Sequence, residues 1–423
     1  MRALPLLETR LPVPPEAPLY HRFQSKRGSH LLVVPYSQIY DVLGDGPSES
    51  ELLGLTGSYG AEAPLDAMVA PAPQAISLNV SSSCNLSCGY CYAGQGSFSG
   101  AQSGRMTAEV AETAVNRLFE GADSTRPVIV GFMGGEPFVN RTLIHHVVGF
   151  AERRARQAGL EVRFSVTTNG TLLEPSDLEL LRARPFAVTI SVDGGAAVQD
   201  AQRPRSRLRG SFSELNRRVA PLLESPGQAR VSARATVSAP FSDLRSRFES
   251  LVEMGFEQVG FSPVRVSPKG ALEPEDWPRY LEELSVVARA EAERAQRGEP
   301  IRLVNLLVAL EQLRRGAASP YPCGAGGGYF SVSADGRWYA CHRGVGQAEF
   351  ELGDAAGLDS ERRTRFLARG HVHAQAACGS CFARYLCSGG CHHEASARSE
   401  SSCGFIRGWL ELCLATFCEL EAI

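Results

Sequence analysis

Six short apolar runs recur between residues 75 and 264, and segments with the pattern of amphipathic helices separate them. The runs are AISLNV, PVIVGFM, VRFSVTTN, AVTISVDG, ARVSARATV and QVGFSPV. In the first intervening segment Thr107 can cap a helix, and Glu109 then falls in its first turn. Strands that alternate with helices indicate parallel β/α units. We therefore predict an α/β fold, a partial (β/α)6 TIM-like barrel.

Residues outside the barrel follow other patterns. Residues 29–43 predict two short strands around a turn, and residues 48–55 predict a short helix. A linker rich in Ala and Pro, residues 61–73, comes next, and the three segments together indicate a small N-terminal α+β extension. Residues 275–315 and 405–422 have the pattern of helices.

These patterns divide the chain into five predicted parts. They are an N-terminal extension with its linker, a candidate peptide-recognition element (1–73), the barrel (74–270), a helical bridge (271–319), a cysteine-rich domain (320–405) and a C-terminal helix (406–423). The cysteine-rich domain is also rich in Gly and shows little apolar periodicity. We therefore expect bound metal, rather than a sizeable apolar core, to organise it.

The overall composition is that of a globular protein without a strong charge. The 423 residues include 43 Lys and Arg and 46 Asp and Glu, for a formal net charge of −3. This balance provides no attraction to nucleic acid or to an anionic membrane, and we expect neither partner. No apolar run of about 18 residues predicts a membrane span. Prolines and charges interrupt the N-terminus where a signal peptide would be apolar, so we expect a cytoplasmic location.

The cysteines are distributed unevenly. Three of the twelve stand in the stretch SSSCNLSCGYCYAG, as Cys84, Cys88 and Cys91, and the other nine follow residue 320. Clustered cysteines in a reducing compartment indicate metal ligands more often than disulfides. Three thiols are one too few for a closed zinc site, but on a four-iron cluster they would leave one iron open to another ligand. Half of a zinc site is the alternative.

Glycine-rich and polar motifs follow the next strands at their C-terminal ends, where parallel barrels carry functional residues. GGEP (134–137) follows the second strand, TNG (168–170) the third and SVDG (191–194) the fourth. With a C-x3-C-x2-C loop after the first strand, this order resembles the radical S-adenosylmethionine (radical SAM) superfamily. The resemblance implies a 4Fe–4S cluster on the three cysteines. It also implies S-adenosylmethionine on the open iron, as the source of a 5′-deoxyadenosyl radical.

The same resemblance implies which residues contact S-adenosylmethionine. Glu136 would accept a hydrogen bond from the methionine ammonium group, and the polar side chains of SVDG would reach the ribose or the methionine end. Asn169 matches a strand-end position near the cofactor. The expected cofactor-binding residues are Tyr90, Gly134, Gly135, Glu136, Asn169, Ser191 and Asp193.

The C-terminal cysteines have a spacing of their own. It reads C-x12-G-x4-C, then C-x2-C-x5-C-x3-C, then one more cysteine. This pattern resembles the SPASM domain of peptide- and protein-modifying radical SAM enzymes, which implies two auxiliary clusters and therefore three 4Fe–4S clusters per chain. The implied ligands are Cys378, Cys381, Cys387 and Cys403 for one auxiliary cluster, and Cys323, Cys341 and Cys391 for the other.

Two alternatives accompany the cysteine assignments. Spacing alone does not separate cluster ligands from a structural zinc array. Cys413 and Cys418 lie in the apolar C-terminal helix, and we predict that they are buried core residues.

Relatives of this kind mostly modify side chains of ribosomally made peptides. We predict a maturase that forms an oxidative, intramolecular carbon–carbon crosslink of the cyclophane type in a precursor peptide with a leader segment. An external electron donor of the flavodoxin or ferredoxin type is the other expected partner. A thioether-forming maturase, an anaerobic sulfatase-maturating enzyme and a zinc-stabilised interaction protein are the alternatives.

One candidate for a catalytic base follows from the same comparison. His342 stands directly after Cys341, where dehydrogenating relatives carry an acidic residue that takes a substrate proton. Histidine titrates near neutrality, so His342 is predicted as the base. A loop histidine that packs on the cluster is the alternative.

Overall fold

A computed structural model describes residues 18–42, 71–98, 104–205, 209–241, 243–267, 269–316 and 319–421. The chain divides into two compact units, each of them built from separate stretches of sequence. The first unit comprises residues 1–70, 273–323 and 367–423, and the second comprises residues 71–272 and 324–366. The helix predicted at 48–55 and most of the linker lie outside the described residues.

The first unit begins with a three-stranded antiparallel sheet in the order β1-β2-β3. The strands are β1 (Tyr20–Ser25), β2 (Gly28–Val33) and β3 (Gln38–Asp41). The prediction of two strands around a turn is confirmed by β2 and β3, whereas β1 was not predicted. His30 on β2 contacts both neighbouring strands, since its Nδ1 lies 2.8 Å from Oδ1 of Asp41 on β3 and its Nε2 lies 2.7 Å from Oγ of Ser25 on β1.

The six predicted barrel strands are confirmed, and they pair in parallel in their sequence order. They are β4 (Ala75–Ser81), β5 (Val128–Gly134), β6 (Val162–Thr168), β7 (Phe186–Ser191), β8 (Arg230–Val237) and β9 (Val259–Pro263). Most of their apolar side chains are buried, as expected of a parallel sheet covered by helices, whereas Ile129 on β5 is exposed.

Helices follow the strands in alternation. They are α1 (Ala108–Gly121), α2 (Arg141–Ala158), α3 (Pro175–Arg182), α4 (Ala196–Gln202), α5 (Phe212–Glu224) and α6 (Leu244–Glu253). The cap predicted at the start of α1 is confirmed, because the side chain of Thr107 accepts a hydrogen bond from the N–H of Val110. The short helix α4 was not predicted.

After the barrel, the chain forms α7 (Asp276–Gln296) and α8 (Val304–Arg314), as the sequence predicted, and both belong to the first unit. The next segment returns to the second unit. It contributes β10 (Tyr329–Val332), β11 (Trp338–Tyr339), β12 (Glu351–Asp354), β13 (Gly357–Leu358) and most of α9 (Ser360–Gly370).

Strand β10 lies parallel to β4 and extends the barrel sheet, which has ten strands in the order β13-β12-β11-β10-β4-β5-β6-β7-β8-β9. Phe330, Val332 and Trp338 are buried there. The expectation that residues 320–405 build little apolar core is therefore wrong for this part of the segment. The division into units also separates residues 324–366 from the rest of the predicted cysteine-rich domain.

The chain ends in the first unit with two four-residue helices and one long helix. These are α10 (Ala376–Gly379), α11 (Arg384–Cys387) and α12 (Glu400–Leu420). Helix α12 packs on α7, where the ring centres of Tyr280 and Phe405 are 4.9 Å apart. Cys413 and Cys418 are buried in α12, which confirms the prediction that they are core residues. Within the described residues, the structure contains no helix with the length and apolarity to cross a membrane.

Candidate active site and cofactor residues

The three-cysteine loop starts where β4 ends, and its thiols act on one another. Burial raises the pKa of Cys84 to about 11, and Cys91 contributes to this rise. Burial also raises the pKa of Cys88 to about 12, with Cys91 and Cys84 contributing. Buried thiols that resist ionisation are stabilised as thiolates by a bound metal, since metal binding displaces their protons.

Two glycines allow the GGEP loop to press against the start of the cysteine loop. Gly134 has a φ of +144°, and a Cβ atom on it would lie 2.4 Å from the carbonyl oxygen of Ser81. A Cβ atom on Gly135 would lie 2.4 Å from the carbonyl oxygen of Ser83. The N–H of Gly135 donates to Ser81 at 2.8 Å, and that of Glu136 donates to Ser83 at 2.9 Å. Contact between the two loops therefore requires glycine, whereas contact with the cofactor stays a prediction.

Glu136 joins the GGEP loop to the end of β6. Its fully buried carboxylate accepts hydrogen bonds from the N–H of Phe138 (3.1 Å), the hydroxyl of Thr168 (2.7 Å) and the N–H of Asn169 (2.7 Å). Burial raises the pKa of Glu136 to about 7, although these three donors lower it. The side-chain amide nitrogen of Asn169 lies 3.8 Å from the Sγ of Cys84. The structure thus brings Glu136 and Asn169 to the cysteine loop.

Asp193, two residues after β7, is the centre of a second buried network. Its carboxylate accepts hydrogen bonds from the hydroxyl of Tyr90 and from the N–H of Thr236, the latter at 2.8 Å. The same carboxylate forms an ion pair with Arg203, whose Nε lies 3.0 Å from Asp193 Oδ1. The guanidinium group of Arg203 also lies 5.4 Å from the ring centre of Tyr90. This network fixes Tyr90 within the cysteine loop.

Arg203 is a residue of this network that the sequence analysis missed. It is 8% exposed, and its charge lowers the pKa of Cys88 against the effect of burial. The pKa of Arg203 itself lies above its ordinary value, because Asp193, Tyr90 and Cys88 outweigh the opposing effect of burial. No sequence signal identifies it, because an arginine ten residues beyond Asp193 indicates nothing until the structure places the two side chains together.

The contacts described so far connect most of the predicted cofactor residues. The connected residues are Cys84, Cys88, Tyr90, Gly134, Gly135, Glu136, Asn169, Asp193 and Arg203. Ser191, the last residue of β7, is partly exposed, and its contact with S-adenosylmethionine stays a prediction.

His342 lies in the same unit and contacts the residue that follows Cys91. Its ring meets Tyr92 edge to face, with the ring centres 6.1 Å apart. Its Nδ1 lies 2.9 Å from the hydroxyl of Tyr329, and that hydroxyl lies 2.8 Å from the Oγ of Ser77 on β4. These contacts orient the imidazole beside the cysteine loop. Its action as a base stays a prediction.

Four of the C-terminal cysteines form a second thiol group, in the first unit. Cys378 lies in α10, Cys381 lies between α10 and α11, Cys387 ends α11, and Cys403 lies near the start of α12. Burial raises the pKa of Cys387 to about 11, and the other three thiols raise it further. The structure thus brings together the four cysteines that the resemblance assigns to one auxiliary cluster. We call them the auxiliary thiol group.

The three cysteines assigned to the other auxiliary cluster belong to different units. Cys341 is buried in the second unit, whereas Cys323 is exposed and Cys391 is half-buried in the first. Their common cluster stays a prediction.

Ahead of the auxiliary thiol group lies a pair of histidines, His371 and His373. His371 is 3% exposed and meets Tyr321 edge to face, with ring centres 5.3 Å apart. Its Nδ1 accepts a hydrogen bond from the N–H of His373 at 3.1 Å. Burial lowers the pKa of His371 to about 4, and the neighbouring His373 contributes to this. His371 therefore belongs to the core of the first unit.

The residues fit the clusters that the sequence implied. Iron–sulfur clusters are held by thiolates, and both thiol groups consist of free cysteines that lie within electrostatic range of one another. In the part of the chain that the structure describes, no three His, Cys, Asp or Glu side chains converge on the position of a single metal ion. Beside the cysteine loop, Arg203 and Asp193 are charged groups suited to the methionine end of S-adenosylmethionine.

Comparison with known families identifies the class. Residues 78–214 match the model of the radical SAM superfamily, a stretch that includes the cysteine loop and the GGEP, TNG and SVDG motifs. The chain therefore carries a radical SAM domain, as its sequence predicted.

Individual relatives narrow the class further. The serine-type anaerobic sulfatase-maturating enzyme of Klebsiella aerogenes is 25% identical over 338 residues, which are 76% of this chain and 80% of that protein. The solved structure of native anSMEcpe with bound AdoMet has a TM-score of 0.69 and 21% identity, over 82% of this chain and 99% of that one. The solved structure of Streptococcus suis SuiB bound to precursor peptide SuiA has a TM-score of 0.53 and 14% identity, over 86% of this chain and 82% of that one. The two structures show a shared fold, and the family match with the sulfatase-maturating relatives identifies an enzyme.

Proposed function

We propose that this protein is a radical SAM maturase that oxidises a side chain of a peptide or protein substrate. One observation carries the proposal. Three half-buried thiols lie on a single loop at the C-terminal end of the first barrel strand, beside a buried Asp and Arg. That is the edge of a parallel barrel where active sites are found.

The proposed roles follow from the contacts. Cys84, Cys88 and Cys91 hold the cluster, and together with S-adenosylmethionine it supplies the radical that removes a hydrogen atom from the substrate. Asn169 and Glu136 hold the loop around Cys84 in position through hydrogen bonds. Arg203 supplies a positive charge near Cys88.

His342 is proposed as the group that accepts the substrate proton. The imidazole contacts the hydroxyl of Tyr329 through Nδ1 and the ring of Tyr92 edge to face, and we propose Nε2 as the atom that accepts the proton. For that role Nδ1 of His342 is protonated and donates a hydrogen bond to the hydroxyl oxygen of Tyr329. The substitution Tyr329→Phe removes this acceptor, and His342→Gln removes the base.

A crosslink in a precursor peptide is the product that we propose first. Two features support it: His342 in place of an acidic residue, and the additional three-stranded sheet β1–β3. An extended leader segment can bind such a sheet by strand addition, through backbone hydrogen bonds. The solved relative SuiB holds a precursor peptide.

Formylglycine formation in a sulfatase is the second candidate. The observation that favours it is the likeness to sulfatase-maturating enzymes over three quarters of the chain. Both products need a two-electron oxidation that begins with hydrogen abstraction, and both leave an electron for a carrier of the flavodoxin or ferredoxin type.

Anaerobic reconstitution tests the enzyme class. We expect about twelve iron atoms per chain, four for each of three clusters, and reductive formation of 5′-deoxyadenosine from S-adenosylmethionine. The triple substitution of Cys84, Cys88 and Cys91 by Ala should abolish 5′-deoxyadenosine and leave about eight iron atoms. Zinc in place of iron with no cofactor cleavage, or cleavage that survives the triple substitution, would refute the proposal.

Mass spectrometry distinguishes the two products. The substrate candidates are any short peptide or sulfatase whose gene lies beside the gene of this protein, each co-expressed with it. A loss of two hydrogen atoms with fragment ions missing between two residues identifies a crosslink. An aldehyde at a Cys or Ser position identifies formylglycine.

A further inference from the structure

Arg398 is a cation held at the auxiliary thiol group. Its guanidinium group donates a hydrogen bond to the carbonyl of Gly389, in the turn between Cys387 and Cys391. In sequence it lies five residues before Cys403, just ahead of α12. The backbone at Gly389 and the start of α12 thus fix the guanidinium group between two segments that carry thiols of the group.

The charge of Arg398 acts on three of the four thiols. Burial raises the pKa of Cys378, Cys387 and Cys403. The charge of Arg398 opposes this effect and lowers the pKa of each of the three thiols by a smaller amount. Arg398 is therefore within electrostatic range of most of the group.

In the part of the chain that the structure describes, no carboxylate forms an ion pair with Arg398. Arg407, on α12, differs in this respect, because it is paired with Glu400. A partly buried cation without a carboxylate is costly unless another anion is close by. A cluster bound to four thiolates is such an anion, and its negative charge increases when it is reduced.

We propose that Arg398 is the counter-ion of the auxiliary cluster on Cys378, Cys381, Cys387 and Cys403, and that it raises the reduction potential of this cluster. This rests on the proposed function, which includes that cluster. When bound, the cluster would supply a one-electron acceptor for the radical left on the peptide after hydrogen abstraction, whose proton would go to the base. A carrier of the flavodoxin or ferredoxin type would take up the electron afterwards.

The physical reason is the change of charge on reduction. A positive charge at a fixed distance stabilises the more negative, reduced cluster more than the oxidised one. Net charge and hydrogen bonding around the sulfur atoms are among the factors that set cluster potentials. Because Arg398 is half-buried, solvent screens this interaction less than it would at a fully exposed site.

The test is a redox titration of the reconstituted full-length protein, followed by electron paramagnetic resonance. Loss of one signal in Cys387→Ala assigns that signal to this cluster. In Arg398→Gln we expect its midpoint potential to shift to a more negative value with unchanged iron content. Arg398→Lys, which keeps the charge, should stay near the wild-type potential. The control is Arg315→Gln, at an arginine that is 71% exposed and paired with Glu311, and it should cause no shift.

A second variant tests the same charge effect with the opposite sign. Glu400→Gln removes an exposed carboxylate whose charge acts on Cys403 and which pairs with Arg407. We expect a shift to a more positive potential. This variant keeps the inference testable if Arg398→Gln fails to load iron.

The outcomes separate this inference from the proposed function. An assigned cluster whose potential is the same in wild type and in Arg398→Gln overturns the role of Arg398 and leaves the cluster standing. Equal negative shifts in Arg398→Gln and Arg398→Lys also overturn it, because they point to the hydrogen bond to Gly389 rather than to charge. If no iron signal depends on Cys387, the auxiliary cluster of the proposed function fails, and the inference fails with it.

Discussion

The buried ion pair of Arg203 and Asp193 links the proposed cofactor site to the stability of the barrel. Arg203→Gln leaves the carboxylate of Asp193 fully buried without its cation. Breaking one side of a buried pair typically costs about 3–5 kcal/mol, so we expect the free energy of unfolding to fall by about 3 kcal/mol. Urea denaturation of the anaerobically purified protein measures it.

The matched control for this prediction is Arg230→Gln. Arg230 is the first residue of β8 and is exposed, so its substitution should change the free energy of unfolding by less than about 0.5 kcal/mol. If the free energy of unfolding falls equally in the two variants, the ion pair does not contribute the expected stability.

His371 gives a second prediction for a single residue, this time for pH dependence. Its pKa is about 4 in the folded chain, below the ordinary value of 6.5. Between these values the unfolded chain binds more protons, so His371 destabilises the fold as the pH falls from 6.5 towards 4. The resulting loss between pH 7.5 and pH 5.5 is about 1 kcal/mol.

The variant His371→Asn tests this linkage. The side-chain oxygen of Asn can replace Nδ1 as the acceptor for the N–H of His373, and Asn does not titrate. The difference in unfolding free energy between wild type and variant should therefore change by about 1 kcal/mol between the two pH values. A difference that stays constant with pH would contradict the assignment.

At the scale of elements, the contact between the loops that follow β4 and β5 requires that residue 135 has no side chain. Gly135→Ala would bring a Cβ atom within 2.4 Å of the carbonyl oxygen of Ser83, directly before Cys84. Backbone cannot yield as a flexible side chain does, so the cysteine loop has to shift. We expect loss of S-adenosylmethionine cleavage, measured as 5′-deoxyadenosine, while the iron bound by the auxiliary clusters stays unchanged.

The control for Gly135 lies in the same loop as the cysteines. Gly89 stands between Cys88 and Tyr90, and no atom lies within 4 Å of a Cβ built on it. Gly89→Ala should therefore retain cleavage. Equal activity in the two alanine variants would mean that the contact between the loops is not needed.

The elements that the sequence predicted correctly are those with a local signal. Strands β4–β9 read as apolar runs, most of whose apolar residues are buried, and α1 has a recognisable cap. Strand β1 has only one buried residue, Phe23, in an otherwise polar segment, so no alternation marks it. Strand β10 is recognisable only through its pairing with β4, about 250 residues earlier in the chain, and local periodicity carries no such information.

The candidate site divides in the same way. The cysteines were predictable because cluster ligands follow fixed spacings along the chain. Tyr329 was not, because its role depends on contacts with Ser77 and His342 that join different strands and loops. Arg203 was missed since a single arginine carries no signal until Asp193 is known to lie beside it.

At the scale of the whole molecule, the two units are stabilised in different ways. The second unit is built on a ten-stranded sheet with buried apolar strands. In the first unit, the segment from residue 371 to residue 398 contains two four-residue helices and two 3-10 turns. Such short elements bury little apolar surface, so the thiol groups in this segment have to supply much of its order through bound metal.

Removal of iron should therefore affect the two units unequally, and hydrogen exchange measures the difference. After anaerobic chelation of the reconstituted protein, we expect amide protection to fall throughout residues 371–398, whose backbone hydrogen bonds are mostly local turns around the cysteines. Strands β5–β8 serve as the internal control, because their amides are held by interstrand hydrogen bonds that need no metal. Unchanged protection in residues 371–398 would show that packing alone orders the segment. An equal loss in β5–β8 would show that the barrel also depends on iron for its stability.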